Sequence, residues 1–396
     1  MTTKRKPLIV MSAGGTGGHM FPSLATAKKL YKKGWRFAFI TDKRGKAWQK
    51  EQNEGDYYAV CSMPLSGRKN IRMVISLAAM GIGLIQAIFI LLYLKPQMVV
   101  GFGGYASVPA LVAARLLGIK YALHEQNAVL GRANRLFARG ASALAMSFAK
   151  VEALEQSDQD KSWWVGNPVR SEIFKHAQAP YHISYDAKTP LKILITGGSQ
   201  GAYLFGEIVP KALAILPSHL KSRLQIVQQI HETQRQKITD FYHTHSIQAK
   251  LDVFFDGLGD MIADCHLIIG RAGASTIAEV AMIGRPCLLI PYPHAVDDHQ
   301  KANASNLADA ACGWVLPEKG LNAVILSQRL KTLLSDPQLL ATAAQSFKLI
   351  TVTDAADNLA RLLQALHHDC LFKLDLPHAR AVVMRRHDQD KNFQEI

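Results

Sequence analysis

The sequence predicts an α/β protein of two open parallel sheets, one per domain, facing each other across a cleft. Three observations predict it. An apolar run at 8–11 leads through Gly14-Gly15-Thr16-Gly17-Gly18-His19 into a helical pattern at 24–30. That is the strand, glycine turn and helix layout that aims backbone N–H groups and a helix N-terminus at an anion. The layout starts again at 192–196, which runs into Gly197-Gly198-Ser199-Gln200-Gly201-Ala202. Around both turns strand and helix patterns alternate, which implies parallel sheets with ligands at the carboxyl ends of the strands.

In the first half, strands are predicted at 8–11, 36–41, 98–100 and 121–123, with a helix at 108–117. The third strand ends at Gly101-Phe102-Gly103-Gly104 and the fourth at His124-Glu125-Gln126-Asn127. The polar clusters at 14–19, 101–105 and 124–127 therefore all fall at strand ends, and their convergence marks a site. The alternation breaks near Gly166-Asn167-Pro168, because Pro168 disfavours helix in the residue before it. Strands resume at 192–196, 224–228, 251–255, 267–269 and 286–290, and a second glycine turn, Gly273, precedes a helix at 277–283. Beyond 321 the pattern is helical, and a last packed helix at 355–366 carries Leu359, Leu362, Leu363 and Leu366. The domain reading is residues 1–165 with a returning helix at about 352–366, a second domain at 166–351, and a polar, basic tail at 367–396.

Composition bounds the function. The chain is 48% apolar and 19% charged, as globular proteins are, and its net charge of +15 suggests an anionic partner such as phosphorylated substrates or acidic headgroups. Basic residues do not interleave with aromatic ones, which argues against a nucleic-acid groove. The five cysteines form no C-x-x-C pair, so neither a zinc site nor a disulfide framework is indicated, and the N-terminal apolar run is too short for a signal sequence. Residues 73–94 hold no charge and reach the length of a membrane span. A single crossing there would put strands 8–11 and 98–100 of one sheet on opposite sides of a bilayer. The expectation is peripheral attachment to an anionic membrane surface, aided by Arg68, Lys69, Arg72 and Lys95, with a buried core helix as the alternative.

The first glycine turn departs from the dinucleotide fingerprint, because Met20 stands where the third glycine belongs. Asp42 follows a strand, so a nicotinamide or flavin oxidoreductase stays open.

Six motifs stand in order between about Pro7 and Leu366: Gly14 to His19 with Phe21-Pro22; Gly103-Gly104-Tyr105; His124 to Asn127; Gly166-Asn167-Pro168-Val169-Arg170; Gly197 to Ala202; and Gly273-Ala274-Ser275-Thr276-Ile277-Ala278-Glu279. Together they resemble the MurG family, the peptidoglycan N-acetylglucosaminyltransferases that convert lipid I to lipid II. The resemblance implies a glycosyltransferase-B fold of two Rossmann-like domains and UDP-GlcNAc as donor. It implies undecaprenyl-diphosphate-linked muramoyl-pentapeptide as acceptor. It also implies a peripheral place on the cytoplasmic face of the inner membrane, with roles in cell shape and division and other cell-wall synthesis proteins as partners. Tyr203 stands where members often carry Arg.

Such a reaction displaces UDP from an anomeric carbon, so it needs a base for the attacking hydroxyl and stabilisation of the departing diphosphate. His19 is the candidate base, at a helix N-terminus whose dipole favours neutral imidazole, and Glu125 is its rival. Thr16, Gly17 and Gly18 would bring backbone N–H groups to the reacting region, with Asn127 in the same substrate-binding set. Ser199 and Arg170 would contact the diphosphate. The resemblance gives Glu279 the ribose, backbone near Phe255 the uracil, the turn Ala274, Ser275, Thr276, Ile277 and Ala278 the donor, and Gln300 the GlcNAc hydroxyls. Thr276-x-x-Glu279 also fits a helix capping box, and His299, Gln300 and Asn303 also fit a solvated helix face. No cofactor or metal is expected, since Asp297-Asp298 lacks the D-x-D spacing. The alternatives are a UDP-GlcNAc epimerase of the same fold, the oxidoreductase, and a non-catalytic sugar-nucleotide sensor.

Overall fold

The structure, a computed structural model, describes residues 6–50, 55–63, 71–177, 179–184, 186, 188–371, 374 and 382–384, without the side chains of 50, 71, 72, 198–202 and 382–384. Arg68, Lys69 and most of the tail lie outside the described residues, as does the side chain of Arg72. The chain divides into two compact units, Met1–Arg170 with Asp354–Ile396, and Ser171–Thr353.

The first unit is built on seven parallel strands: β1 (Leu8–Ser12), β2 (Arg36–Thr41), β3 (Asp56–Ala59), β4 (Met98–Gly101), β5 (Tyr121–Glu125), β6 (Ala143–Met146) and, beyond the short β7 (Lys150–Glu152), β8 (Ser162–Trp164). Their order is β3-β2-β1-β4-β5-β6-β8. The chain first winds outward through β2 and β3 and then returns to place β4 on the other side of β1. The crevice between β1 and β4 is therefore the switch point where such sheets bind ligands. Side chains alternate across the sheet. Ile9, Met11, Phe39 and Val100 face Met20 and Leu24 of helix Gly17–Lys32 and Leu359, Leu362 and Leu363 of helix Ala355–His367. Val10, Ile40, Val99 and Leu123 face Leu111 and Ala114 of helix Ser107–Leu116 and Ala87 and Leu91 of helix Ile71–Leu94. Both faces being covered explains why β1 is apolar almost throughout and does not alternate. The C-terminal helix is fastened to this unit by its apolar face, by Lys33–Asp357 at 3.1 Å, and by Asn358 Nδ2 donating to the Val165 carbonyl at 3.5 Å.

Helix Ile71–Leu94 sinks one narrow stripe, Ser76, Gly83, Ala87 and Leu91, at roughly helical spacing. Gly83 is required there, since a Cβ would strike the Cys61 carbonyl. Leu84, Ile88, Ile90 and Leu94 flank the stripe half-buried against the core, while Val74, Leu77, Ile82, Ile85, Phe89 and Tyr93 are exposed. Only 22% of its most apolar window is buried, so the reading of a buried core helix does not hold. Its length and hydropathy would suffice to cross a membrane, yet it packs on helix Ser107–Leu116 and runs directly into the central strand β4.

The second unit repeats the plan with β9 (Leu191–Thr196), β10 (Leu224–Gln229), β11 (Gln248–Asp252), β12 (Leu267–Gly270), β13 (Cys287–Leu289) and β14 (Gly313–Val315), in the order β11-β10-β9-β12-β13-β14. All neighbours are parallel, and the switch point lies between β9 and β12. The edge strand β11 lies three residues before its predicted span. A short parallel pair joins β7 to β15 (Val382–Met384).

Candidate active site

In the first domain the three polar clusters meet because their strands are neighbours. Ser12 of β1 is in register with Gly101 of β4, and Gly101 with Leu123 of β5. Helix Gly17–Lys32 starts at the end of β1 with Thr16 as its N-cap. The Thr16 hydroxyl makes no capping bond, while its carbonyl accepts from the N–H groups of His19 and Met20 at 3.0 Å. First-turn N–H groups have no partner within a helix, so those of Gly17 and Gly18 are suited to an anion.

His19 lies in a slot lined by glycine. A Cβ on Gly103 would approach its Cε1 to 3.4 Å, and one on Gly104 its Cδ2 to 3.3 Å. Both glycines are left-handed, at φ +83° and +79°, where a side chain is strained as well as crowded. His19 Nδ1 lies 3.2 Å from Oε1 of Gln126. The Gln126 amide nitrogen lies 3.0 Å from Nδ1 of His124, and His124 Nε2 lies 3.3 Å from the Gly166 carbonyl. Burial pushes the pKa of His124 down to about 4; the Gly166 carbonyl opposes this and nearby His19 adds to it. His124 is therefore neutral at ordinary pH.

Glu125 is surrounded by donors. Oε1 accepts from the Asn127 N–H at 3.0 Å and from Asn127 Nδ2 at 3.2 Å. Oε2 accepts from the Gly131 N–H at 2.9 Å and from Asn134 Nδ2 at 2.7 Å. Four donors occupy this carboxylate, and it holds the 126–131 loop in shape. Arg170 lies over the Phe21 ring, 5.0 Å from its centroid. Asp42 accepts from the Gly45 N–H at 2.8 Å and pairs with Arg44. Burial raises its pKa, but the bonds from Arg44, Gly45 and Gly15 outweigh that and leave the carboxyl below its usual value. Asp42 thus caps a helical turn and ties down the glycine turn.

In the second domain helix Gly198–Ala214 begins one residue after β9 with Gly197 as N-cap; the backbone of Ser199 lies in its first turn, and the Ser199 side chain is outside the described residues. Tyr203 is exposed beside His231. Helix Ala274–Ile283 follows β12, with Gly273 as its N-cap. It starts three residues before its predicted span, and this overturns the capping box: Thr276 is the third helical residue and Glu279 lies most of two turns inside, where it cannot reach back to the cap. Ala274, Ile277 and Glu279 are buried, and Ser275, Thr276 and Ala278 half-buried. Phe255 is half-buried in the loop after β11. Gln300 Oε1 accepts from the Tyr292 N–H at 3.0 Å. Asn303 is fully buried and donates to the Ala272 carbonyl at 3.0 Å, so that side of the helix is not a solvated face.

Sequence reasoning gave no separate role to Gln126, His124 or Arg271. The signal was available: polar residues ending a strand whose other members are buried. Arg271, buried, donates to the Ile290 carbonyl at 3.0 Å and pairs with Glu318, tying together the ends of β12 and β13.

Residues 9–146 match the model of the glycosyltransferase family 28 N-terminal domain and residues 192–359 that of the C-terminal domain. The chain is 46% identical over 352 residues, 89% of its length and 92% of the relative's, to the UDP-N-acetylglucosamine–N-acetylmuramyl-(pentapeptide) pyrophosphoryl-undecaprenol N-acetylglucosamine transferase of Rhodospirillum centenum. It superposes on the crystal structure of Acinetobacter baumannii MurG with a TM-score of 0.75 at 30% identity, covering 90% of this chain and 99% of that one. A putative UDP-N-acetylglucosamine 2-epimerase from Listeria monocytogenes shares the fold alone, at a TM-score of 0.66 and 13% identity over 96% of this chain and 100% of that one.

Proposed function

The chain belongs to glycosyltransferase family 28, among the MurG-type N-acetylglucosaminyltransferases of peptidoglycan synthesis, and on that premise we propose that it transfers GlcNAc from UDP-GlcNAc to undecaprenyl-diphosphate-linked muramoyl-pentapeptide with His19 as the base. The observation that carries the assignment is the position of His19: first turn of a helix, at the switch point, its ring in a glycine slot. The muramoyl C4 hydroxyl gives its proton to His19 while its oxygen attacks the anomeric carbon of GlcNAc. The bond from the anomeric carbon to the β-phosphate oxygen breaks, and UDP leaves with the electron pair on that oxygen. Glu125 is the weaker candidate, because acting as base would require it to give up hydrogen bonds that shape the 126–131 loop. It is a loop-holding residue in this reading, with Asn127 beside it. N–H groups at Thr16, Gly17 and Gly18 supply positive potential, and Arg170 and Ser199 serve the diphosphate. The turn Ala274 to Ala278, Glu279, Gln300 and the backbone near Phe255 serve the donor; the buried carboxylate of Glu279 suits a pair of ribose hydroxyls, and the NH2 group of Gln300 suits a sugar oxygen. The exposed apolar helix Ile71–Leu94 suits peripheral attachment to the cytoplasmic leaflet of the inner membrane.

The test incubates full-length protein with labelled UDP-GlcNAc and a lipid-linked acceptor in detergent, with EDTA present. Label is expected to reach the lipid, and His19→Ala is expected to lower kcat by about 10²- to 10⁴-fold while keeping UDP-GlcNAc binding. Binding without transfer in the wild type would sink the reading and return the epimerase and sensor alternatives.

A further inference from the structure

The protonation of His19 can be read outward from two backbone carbonyls. Gln126, 3% exposed, stands between two imidazoles. Its Nε2 lies 3.3 Å from the His124 carbonyl oxygen as well as 3.0 Å from His124 Nδ1. A carbonyl only accepts, so the amide end facing it is the NH2 group. The opposite end, 3.2 Å from His19 Nδ1, is then the carbonyl oxygen, and that contact is a hydrogen bond only if His19 carries its proton on Nδ1. The far end of the chain agrees. His124 Nε2 faces the carbonyl of Gly166 at 3.3 Å, so the buried His124 is protonated there and its Nδ1 accepts from Gln126. The backbone around the Gly166 carbonyl is tied down, since the Gly166 N–H donates to the Met146 carbonyl at 3.2 Å and the Val165 carbonyl accepts from Asn358 at 3.5 Å. From the Gly166 carbonyl through His124 and Gln126 to His19 Nδ1 each bond has its donor and acceptor assigned, and turning the Gln126 amide over breaks the bond to the His124 carbonyl.

We propose that Gln126 and His124 are positioning residues of the transfer reaction: they hold neutral His19 as the Nδ1–H tautomer, with its lone pair on Nε2, the nitrogen that takes the acceptor hydroxyl's proton. This rests on His19 being the base. Neutral histidine in water prefers the opposite tautomer, with the proton on Nε2, in which the outer nitrogen has no lone pair to offer. After transfer His19 is an imidazolium whose Nδ1–H still bonds Gln126, so the proton just gained on Nε2 is the one given up to solvent or product, and the base resets in the same tautomer.

The experiment is long-range ¹H–¹⁵N correlation of ring nitrogens in full-length protein labelled at histidine, with the His19 signals assigned by their loss in His19→Asn. Wild type is expected to show His19 protonated at Nδ1, and a wild-type His19 protonated at Nε2 overturns the proposal whatever any variant does. Gln126→Leu removes both ends of the amide. It is expected to move His19 toward the Nε2–H tautomer and to lower kcat by about 10- to 100-fold, with KM for UDP-GlcNAc unchanged. A Gln126→Leu protein that keeps the wild-type tautomer and kcat also overturns it. Transfer that survives His19→Ala would instead overturn the base assignment beneath it; that result comes from the turnover assay, so the two failures are told apart.

Discussion

His124 sits wholly buried beside an amide and a carbonyl, so its charged form is penalised in the folded protein and not in the unfolded one, and His19 nearby adds to that penalty. The consequence for stability has a definite sign. Its folded pKa, about 4, lies below the ordinary histidine value of about 6.5, so between those values the unfolded chain binds more protons. Above about pH 6.5 His124 costs nothing, and as the pH falls the cost grows, reaching about 3 kcal/mol near pH 4. Four of the five tryptophans, Trp35, Trp48, Trp163 and Trp164, belong to the first unit, so tryptophan fluorescence in urea follows that unit. The wild-type midpoint is expected to fall between pH 6.5 and 4 more steeply than that of His124→Phe, which is less stable at pH 7 because it leaves the Gln126 amide and the Gly166 carbonyl short of a bond. Equal slopes in the two proteins would mean that His124 is not buried neutral. The same residue thus connects stability to chemistry, because a charged His124 could no longer accept from Gln126.

At the scale of elements, the site depends on loops that approach each other more closely than side chains allow. Gly104, at φ +79°, would carry a Cβ 3.1 Å from the Cα of Gly14 and 3.3 Å from the His19 ring. Gly104→Ala is expected to destabilise the protein by about 1–2 kcal/mol and to lower kcat, read as a shifted urea midpoint together with slower transfer. A variant with both unchanged would show that the β1 and β4 turns need no such approach. How far these elements could be read from sequence follows from burial. The strand at 36–41 was legible to the residue because β2 lies inside a sheet covered on both faces, where apolar runs are obligatory. The span 251–255 misled because β11 is an edge strand: its residues Gln248 to Asp252 are largely polar and partly exposed, while the apolar Val253 and Phe254 lie beyond it in solvent. The capping-box alternative for Thr276-x-x-Glu279 fails because such a box has meaning only at the helix start, and Gly273 already holds that place. The convergence of the three strand-end clusters was legible from spacing. The pairing of His19 with Gln126, 107 residues apart, was not, because only the register of β1, β4 and β5 brings those two strand ends together.

At the scale of the whole molecule, two features bear on where it works: a net charge of +15 and one helix that turns most of its apolar surface to solvent. The two respond differently to salt, which makes the attachment testable. Attraction of basic residues to anionic headgroups is worth about 1 kcal/mol each near the surface, and it is screened as the Debye length falls to about 3 Å in 1 M salt. Burial of an exposed Phe or Ile in the acyl boundary contributes about 1.5–3 kcal/mol and is insensitive to salt. If both act, binding to anionic vesicles falls with added salt to a plateau above zero. That plateau is expected to drop by about 10-fold or more in Phe89→Ser with Ile85→Ser, both largely exposed, while turnover of a detergent-solubilised acceptor changes little. Charge alone would give binding that vanishes in high salt and ignores the two substitutions. Apolar contact alone would give salt-independent binding to neutral and anionic vesicles alike. A protein that binds no anionic vesicle even at low salt defeats the attachment outright, and the exposed face of helix Ile71–Leu94 would then need an occupant other than a membrane.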